Sequence, residues 1–147
     1  MSHPPLGLVS VPSAGADVAI RYLSVRHRTV ALAARLRPED TVVQSMPDAS
    51  PTKWHLAHTT WFFEQFILCR DSRYVTPNPG WHYLFNSYYQ PIGPLHARPQ
   101  RGMLTRPAPD EVFAYRRRVS SAVAERNSRG ADSEPAMLMA PTQRPDP

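Results

Sequence analysis

The chain has 147 residues, of which 41% are hydrophobic, so it can form one domain with a modest core. Its formal charge is +5, but the seventeen basic residues are scattered apart from a run at residues 116–118, so composition does not indicate nucleic-acid binding. The single cysteine, Cys69, excludes an internal disulfide framework and is typical of a reducing compartment. No apolar stretch approaches the roughly 20 residues that cross a bilayer. Residues 1–15 lack the features of a signal peptide, so we expect a cytoplasmic protein with no membrane partner.

The first predicted helix follows a lead-in, residues 1–16, whose proline, glycine and serine content predicts disorder. It runs from about Asp17, which can cap it, to Leu36, and Pro38 ends it. Its apolar face is predicted to comprise Val18, Tyr22, Val25, Thr29, Leu32 and Leu36, with Arg21, Arg28 and Arg35 off that face. We therefore expect the apolar stripe to pack against the rest of the domain.

The second predicted helix begins at Ser50, whose hydroxyl can cap it, with Pro51 in the first turn, and ends near Arg70. One stripe at the 3.6-residue period comprises Trp54, His58, Trp61, Gln65 and Leu68. His58 is therefore expected to point inward among large aromatic rings, a setting suited to a metal ligand. His55 lies on a neighbouring stripe, so both imidazoles can reach one interior.

A purely structural role for these two histidines is an open alternative. Histidines on an apolar helix face are more often satisfied by a backbone carbonyl or a carboxylate than by a metal. The zinc motif H-E-x-x-H places a glutamate after the first histidine and separates the two histidines by four positions. Here Leu56 follows His55, and His58 lies only three positions on, so a metalloprotease is not supported.

The segment 71–109 shows no sustained helical or strand period, which is typical of a functional loop or of disorder. The aromatic cluster at residues 81–89 has much apolar area to bury, so we expect an ordered loop packed over the helices. A third helix is predicted from Asp110 to about Arg126, with acidic residues at its positive end. Residues 127–147 show no period and are predicted to be a disordered tail.

Three amphipathic helices with inward histidine and tryptophan predict an all-α fold over residues 17–126. We expect an incomplete antiparallel bundle, in which side chains on facing helices can build a metal site. A bundle of this type usually has four helices. With three, apolar stripes would stay uncovered on one side, so we expect self-association.

Four blocks carry a resemblance to a known family. They are residues 42–64 (VVQSMPDASPTKWHLAHTTWFFE), 83–89 (YLFNSYY), 98–102 (RPQRG) and 110–116 (DEVFAYR). In this order, within about residues 21–126, they resemble the amino-terminal domain of ergothioneine-biosynthesis iron-dependent sulfoxide synthases, the EgtB family. The resemblance implies a DinB-like four-helix bundle, which in the family precedes a larger lectin-like domain that these 147 residues do not contain.

The resemblance also implies a chemistry. In the family, non-haem Fe(II) held by three histidines activates O₂ and joins the sulfur of a cysteine-containing thiol to the imidazole of trimethylhistidine. Three neutral nitrogens leave open positions on the iron for thiol and oxygen. In the family pattern Trp-x-Leu-x-His the ligand corresponds to His58, and His55 is then a supporting residue or an alternative metal ligand.

Candidate substrate-binding residues follow from the same resemblance. Arg98 and Arg101 lie where family members place arginines that contact carboxylates of the thiol, and a guanidinium fork suits that role. A solvated basic loop is the alternative for these two residues. Asn86 and Tyr88 are further candidates for substrate contact, with packing over the bundle as the favoured alternative.

The family's other two metal ligands come from an H-x-x-x-H motif on the fourth helix, and no histidine follows His96 here. One imidazole is a weak site for Fe(II), so we expect a truncated fragment that neither holds iron firmly nor turns over alone. Two alternatives are a non-catalytic helical module that pairs with another chain and a DinB-like metal-dependent thiol transferase. The transferase requires several histidines to converge, namely His55, His58 and His82 or His96.

Overall fold

Helices form the described part of the molecule. A computed structural model describes residues 14–87 and 89–130. Its α-helices are α1 (Ala14–Ala33), α2 (Thr52–Ile67), α3 (Trp81–Phe85) and α4 (Pro109–Gly130). Short 3-10 helices lie at Asp40–Val42, Leu68–Arg70, Gln90–Ile92 and Arg98–Met103. No strand occurs in these ranges, which confirms the all-α prediction, and none of their helices is long and apolar enough to cross a bilayer.

Helix α4 is the element on which the other two long helices pack. It contacts both α1 and α2 along much of its length, whereas α1 and α2 contact each other far less. Its buried apolar face consists of Val112, Tyr115, Val119 and Val123, at the spacing of a single helix face. The helix extends to Gly130, beyond the predicted end at Arg126. Residues 131–147, which hold most of the predicted tail, lie outside the described residues.

The aromatic stripe predicted for α2 is confirmed at Trp54, Trp61 and Leu68, which are all buried. Phe85 of α3 belongs to the same core cluster as the two tryptophans. The Trp54 indole N–H donates to the Leu84 carbonyl at 2.9 Å. The segment between α2 and α4 therefore packs on the helices as expected, and it adds the short helix α3, which the absence of a sustained period did not indicate.

The face of α1 that packs inward differs from the predicted one. The buried residues are Ala19, Arg26 and Ala33. The exposed residues include Val18, Val25 and Leu32, which the apolar pattern had placed inside. The prediction was wrong because Arg26 forms hydrogen bonds in the interior, and the aliphatic residue directly before it therefore turns toward solvent. The helix also begins at Ala14 rather than at Asp17, and residues 1–13 lie outside the described residues.

The start of α2 also differs from the prediction. Pro51 occupies the capping position, and no side chain caps the first turn. Ser50 was therefore wrongly predicted as the cap. Its hydroxyl oxygen instead accepts a hydrogen bond of 2.9 Å from Nη1 of Arg101, which lies 51 positions later in the chain. The Ser50 hydroxyl therefore forms a long-range hydrogen bond instead of the helix cap that local propensity predicts.

Two buried arginines, each only 3% exposed, join the three long helices. Arg26 of α1 donates to the hydroxyls of Thr60 at 2.6 Å and Ser120 at 3.2 Å. Arg116 of α4 donates to the hydroxyls of Thr59 at 2.9 Å and Thr60 at 3.3 Å. Desolvation lowers the pKa of both groups, and the charge of Arg26 helps to lower the pKa of Arg116 to about 10. Arginine side chains are not deprotonated in proteins, so both buried charges depend on these neutral acceptors.

A buried carboxylate forms a second polar contact between helices. Glu64 of α2 is 1% exposed, and its oxygens accept hydrogen bonds from the hydroxyls of Tyr74 at 2.7 Å and Tyr115 at 2.5 Å. Desolvation, followed by the hydrogen bond to Glu64, raises the pKa of both tyrosines. Both therefore stay protonated as donors, and the carboxylate is satisfied by neutral groups.

We expect Glu64→Gln to lower the free energy of unfolding by about 1–3 kcal/mol, because the amide presents its own donors to one of the two hydroxyls. Urea unfolding followed by far-UV circular dichroism measures the change. Glu125→Gln is the matched control, since that carboxylate is exposed and its ion pair among the described residues is with Arg129, and its effect should stay within about 0.5 kcal/mol. Equal effects of the two substitutions would contradict the role assigned to Glu64.

Candidate functional site

His58 is held in one orientation by rings and by the backbone. Its imidazole stacks on Trp54, with ring centres 4.6 Å apart and planes within 12°, and lies 5.9 Å from the Trp61 ring. Its Nδ1 is 2.7 Å from the carbonyl oxygen of Phe85. Since a carbonyl can only accept, Nδ1 carries the proton in this contact. The neutral ring then has its lone pair on Nε2, the arrangement found in metal-ligating histidines.

The electrostatic surroundings keep this ring neutral. Burial is the main cause that lowers the pKa of His58, and the hydrogen bond to Phe85 partly offsets it. The nearby charge of Arg101 lowers the pKa further. Since only a neutral imidazole binds a metal, these effects favour the ligating form at neutral pH.

Arg101 lies beside this arrangement and is almost wholly buried, at 4% exposure. Its Nη1 donates to the Ser50 hydroxyl at 2.9 Å, and its Nη2 donates to the Ser87 hydroxyl at 3.2 Å. The guanidinium carbon is 3.5 Å from the centre of the Trp54 ring, a cation–π contact. The structure therefore gives Arg101 a role in fixing the loop onto α2, and contact with a substrate carboxylate stays a prediction.

The loop that carries Arg98 is fixed through Gln44. The Gln44 side-chain Nε2 donates to the Arg98 carbonyl at 2.8 Å, and the Gly102 N–H donates to the Gln44 side-chain Oε1 at 2.6 Å. A Cβ atom on Gly102 would lie 2.7 Å from the Cβ of Gln44, so this close approach requires glycine. The Arg98 side chain is partly exposed, and its predicted contact with substrate is also untested.

His55, the other histidine of the motif, is exposed on α2, so it does not share the interior with His58 as the spacing had suggested. His82 accepts a hydrogen bond on Nδ1 from the Trp61 indole N–H at 2.9 Å, so its neutral form carries the proton on Nε2. His96 packs edge-on against Tyr83, with ring centres 5.7 Å apart. These three histidines thus occupy separate surroundings.

The aromatic segment holds a structural asparagine. Asn86 is buried, and its amide nitrogen donates to the carbonyls of Tyr89 at 3.1 Å and Gly93 at 3.0 Å. Its oxygen accepts from the Tyr89 N–H at 3.2 Å. Asn86 therefore has the packing role that the sequence analysis favoured over substrate contact, and its hydrogen bonds close the turn after α3. Tyr88 lies outside the described residues.

The described residues fit a three-histidine metal site only in part. His58 fits as one ligand, since its Nε2 has a lone pair and its other nitrogen is held by a carbonyl. Within residues 14–87 and 89–130, however, no group of three or more histidine, cysteine, aspartate or glutamate side chains is arranged to hold a metal ion. These residues therefore do not by themselves complete the site that the resemblance implies.

Comparison with known proteins places this helical fold in a family. A family model of the DinB superfamily matches residues 21–146. The chain belongs to the DinB superfamily. No curated protein matches it significantly. Membership of the DinB superfamily accounts for the all-α fold, but a shared fold does not specify an activity.

Sequence reasoning missed two groups of polar residues in this DinB-superfamily chain. Arg26 and Arg116 were assigned to no site, and Glu64 was noted only as part of a motif. The available signal for Glu64 was its position three residues after Trp61, on the inward side of α2. A comparable signal distinguishes Arg116 from its neighbours Arg117 and Arg118, because Arg116 lies four positions after Val112 and three before Val119, on the inward side of α4.

We expect nuclear magnetic resonance to show His58 titrating below the ordinary pKa of 6.5, with the proton of the neutral ring on Nδ1. Long-range ¹H–¹⁵N correlation spectra of the imidazole measure both properties. Since the folded pKa is lowered, this group's contribution to stability is complete above pH 6.5 and is lost as pH falls through the folded pKa. A proton on Nε2 in the neutral ring would contradict the proposed orientation.

We expect Arg101→Lys to destabilise the fold by about 1–3 kcal/mol, because an ammonium group cannot reproduce the planar fork or its stacking on Trp54. Thermal and urea unfolding measure the loss. Arg117→Lys, at an exposed position of α4, is the control and should change stability by less than about 0.5 kcal/mol. Wild-type stability of the Arg101 variant would show that the buried contacts are dispensable.

Proposed function

We propose that this chain contributes the first ligand-bearing helix of an iron-dependent sulfoxide synthase of ergothioneine biosynthesis. In this proposal α2 supplies one of three histidine ligands, His58, and the other two come from outside the described residues. The observation that carries the proposal is the hydrogen bond from the His58 Nδ1–H to the Phe85 carbonyl, which leaves the lone pair on Nε2. The four sequence blocks that resemble the family support the same assignment.

Rigidity of the ligand supports this proposal. Trp54 and Trp61 are buried, and both rings lie against the imidazole. The Phe85 carbonyl fixes the proton on the far nitrogen, so the ring does not need to change tautomer when it binds a metal. When bound in a complete site, Fe(II) would supply the activation of O₂. The part played by this chain is to hold a neutral, oriented imidazole.

The proposed substrates are a cysteine-containing thiol and trimethylhistidine. Arg98 is the stronger of the two arginine candidates for a thiol carboxylate, because it is partly exposed whereas Arg101 is almost wholly buried. Arg101 is better described as a positioning residue. It fixes the loop that carries Arg98 and adds a positive charge that helps to keep His58 neutral.

In this proposal the two remaining metal ligands lie outside the described residues. No histidine follows His96 in the sequence, and the described residues do not bring three ligand side chains together. One imidazole lacks the chelate advantage that stabilises Fe(II) in a protein. We therefore infer that the described residues by themselves neither hold iron firmly nor support turnover.

A non-catalytic helical module is the second candidate function. It is favoured by the absence of a three-ligand group within the described ranges, which an enzyme of this class would need. The metal-dependent thiol transferase has no comparable support. Its ligand set would draw on His82, whose Nδ1 already accepts a hydrogen bond from Trp61, or on His96, which packs against Tyr83.

Reconstitution from two polypeptides tests the proposed function. The full chain would be co-expressed with a second polypeptide that carries an H-x-x-x-H helix and the catalytic domain of a sulfoxide synthase, then loaded anaerobically with Fe(II). We expect thiol- and oxygen-dependent consumption of trimethylhistidine only when both polypeptides are present. His58→Ala should reduce this activity at least about 100-fold, because a ligand is lost, whereas His55→Ala should cost less than about tenfold.

Two results would refute the assignment. One is turnover by the full chain alone after iron loading, since the site would then be complete without a partner. The other is full activity of the His58→Ala variant in the reconstituted pair. Comparable losses for His55→Ala and His58→Ala would also count against the assignment, because His58 would then not be distinguished from His55 as the metal ligand.

A further inference from the structure

Two positive charges are buried close together where α1, α2 and α4 meet. Arg26 and Arg116 both donate to the Thr60 hydroxyl, at 2.6 Å and 3.3 Å. Their other hydrogen bonds go to hydroxyl groups and backbone carbonyls. No ion pair among the described residues involves either arginine. Two like charges therefore share a region of low dielectric without a carboxylate to compensate them, which costs free energy.

Arg116 uses only one nitrogen of its guanidinium group. Nη1 donates to the Leu56 carbonyl and to the hydroxyls of Thr59 and Thr60. No described residue accepts a hydrogen bond from Nε, which is buried, or from Nη2, which keeps some contact with solvent. Nε and Nη2 form one edge of the planar group, the edge that binds both oxygens of a carboxylate at once. Arg116 therefore presents this edge with no acceptor from the described residues.

The Tyr22 hydroxyl is a second buried group without a hydrogen-bond partner among the described residues. Tyr22 lies four positions before Arg26, on the same face of α1, and its ring centre is 5.7 Å from the Arg26 guanidinium carbon. Desolvation is the main cause that lowers the pKa of Arg26 and of Arg116, and the nearby Tyr22 hydroxyl acts in the opposite direction on both. The hydroxyl therefore belongs to the same polar region as the two arginines.

The chemistry of these donors selects the group that would satisfy them. A buried donor without an acceptor is destabilising, so an oxygen atom at this position is favoured. A water molecule could accept from Arg116 and Tyr22, but it would leave both positive charges uncompensated. A carboxylate supplies two coplanar oxygens and a negative charge, which match the free edge of Arg116 in geometry and in sign.

We propose that the Nε–Nη2 edge of Arg116 and the hydroxyl of Tyr22 form a binding site for a carboxylate group. The carboxylate oxygens accept from both nitrogens of Arg116, and the Tyr22 hydroxyl donates to one of them. Two sources provide this chemistry, namely a small free acid and an acidic side chain of residues 131–147. The site lies on the side of α2 that faces α1 and α4, whereas His58 bonds to Phe85, so the inference does not depend on the proposed iron chemistry.

Nuclear magnetic resonance of the arginine Nε–H groups in the full chain tests this proposal. Acetate is the probe, and it replaces chloride at constant ionic strength so that screening does not change. We expect a saturable downfield shift of the Arg116 Nε proton, because a charge-assisted hydrogen bond forms there. Acetamide, a neutral molecule of nearly the same shape, should cause no saturable shift. The Nε signal of Arg117, an exposed neighbour, is the internal control and should not saturate.

A matched pair of tyrosine variants locates the second donor. Tyr22→Phe removes the hydroxyl and keeps the ring, which packs on Phe63 with ring centres 4.7 Å apart. We expect it to weaken acetate binding by about three- to tenfold, as for the loss of one hydrogen bond. Tyr83→Phe removes a hydroxyl from an exposed residue and should leave acetate binding unchanged.

A triple variant distinguishes the two sources of the carboxylate. It carries Asp132→Asn, Glu134→Gln and Asp146→Asn, which remove the acidic side chains of residues 131–147. A response to acetate in the wild type identifies a free acid as the ligand. A wild-type signal that ignores acetate, with a triple variant that responds, identifies a side chain of the chain itself.

Three results would overturn the proposal. The first is an Arg116 signal that responds to acetate in neither the wild type nor the triple variant, as expected if water alone satisfies the donors. The second is an equal response to acetamide, since the negative charge would then have no role. The third is an unchanged acetate affinity when Tyr22→Phe is introduced into the protein that responds.

Discussion

The burial of two guanidinium groups, Arg26 and Arg116, constrains how the three long helices meet. Each group must be satisfied by hydrogen bonds in a region of low dielectric, and the threonine hydroxyls of α2 provide acceptors for both. Thr60 must therefore face α1 and α4 at once, which fixes the rotation of α2 about its axis. Since residues two positions apart do not share a helix face, His58 is turned instead toward the segment that contains α3.

The long segment between α2 and α4 acquires its order from contacts with distant residues rather than from regular structure. Gln44 bonds to both ends of the turn that holds Arg101, and Arg101 in turn stacks on Trp54. The Phe85 carbonyl then sets the tautomer of His58. The same packed segment thus covers the core and orients the imidazole of His58, the proposed metal ligand.

Two features of the described chain are incomplete in a similar sense. The imidazole of His58 is oriented as a ligand, yet no group of three ligand side chains forms around it within the described residues. The stripe of Val18, Val25 and Leu32 has the spacing of a helix interface, yet no described element covers it. Both features would be completed by groups outside the described residues, although one concerns metal chemistry and the other concerns packing. A module can retain the second property without the first.

The sequence by itself determined the all-α fold, the inward tryptophans of α2, and the start of α4 to within one residue, because these depend on local period and helix-end chemistry. It also indicated that His58 lies among rings. Only the tertiary structure decided which face of α1 is buried, since Arg26 is held by groups 34 and 94 positions away, and period alone ranks an arginine as exposed. For the same reason it decided that Ser50 binds Arg101 instead of capping α2. Hydrogen bonds between distant residues outweigh local preference wherever burial leaves a polar group no other partner.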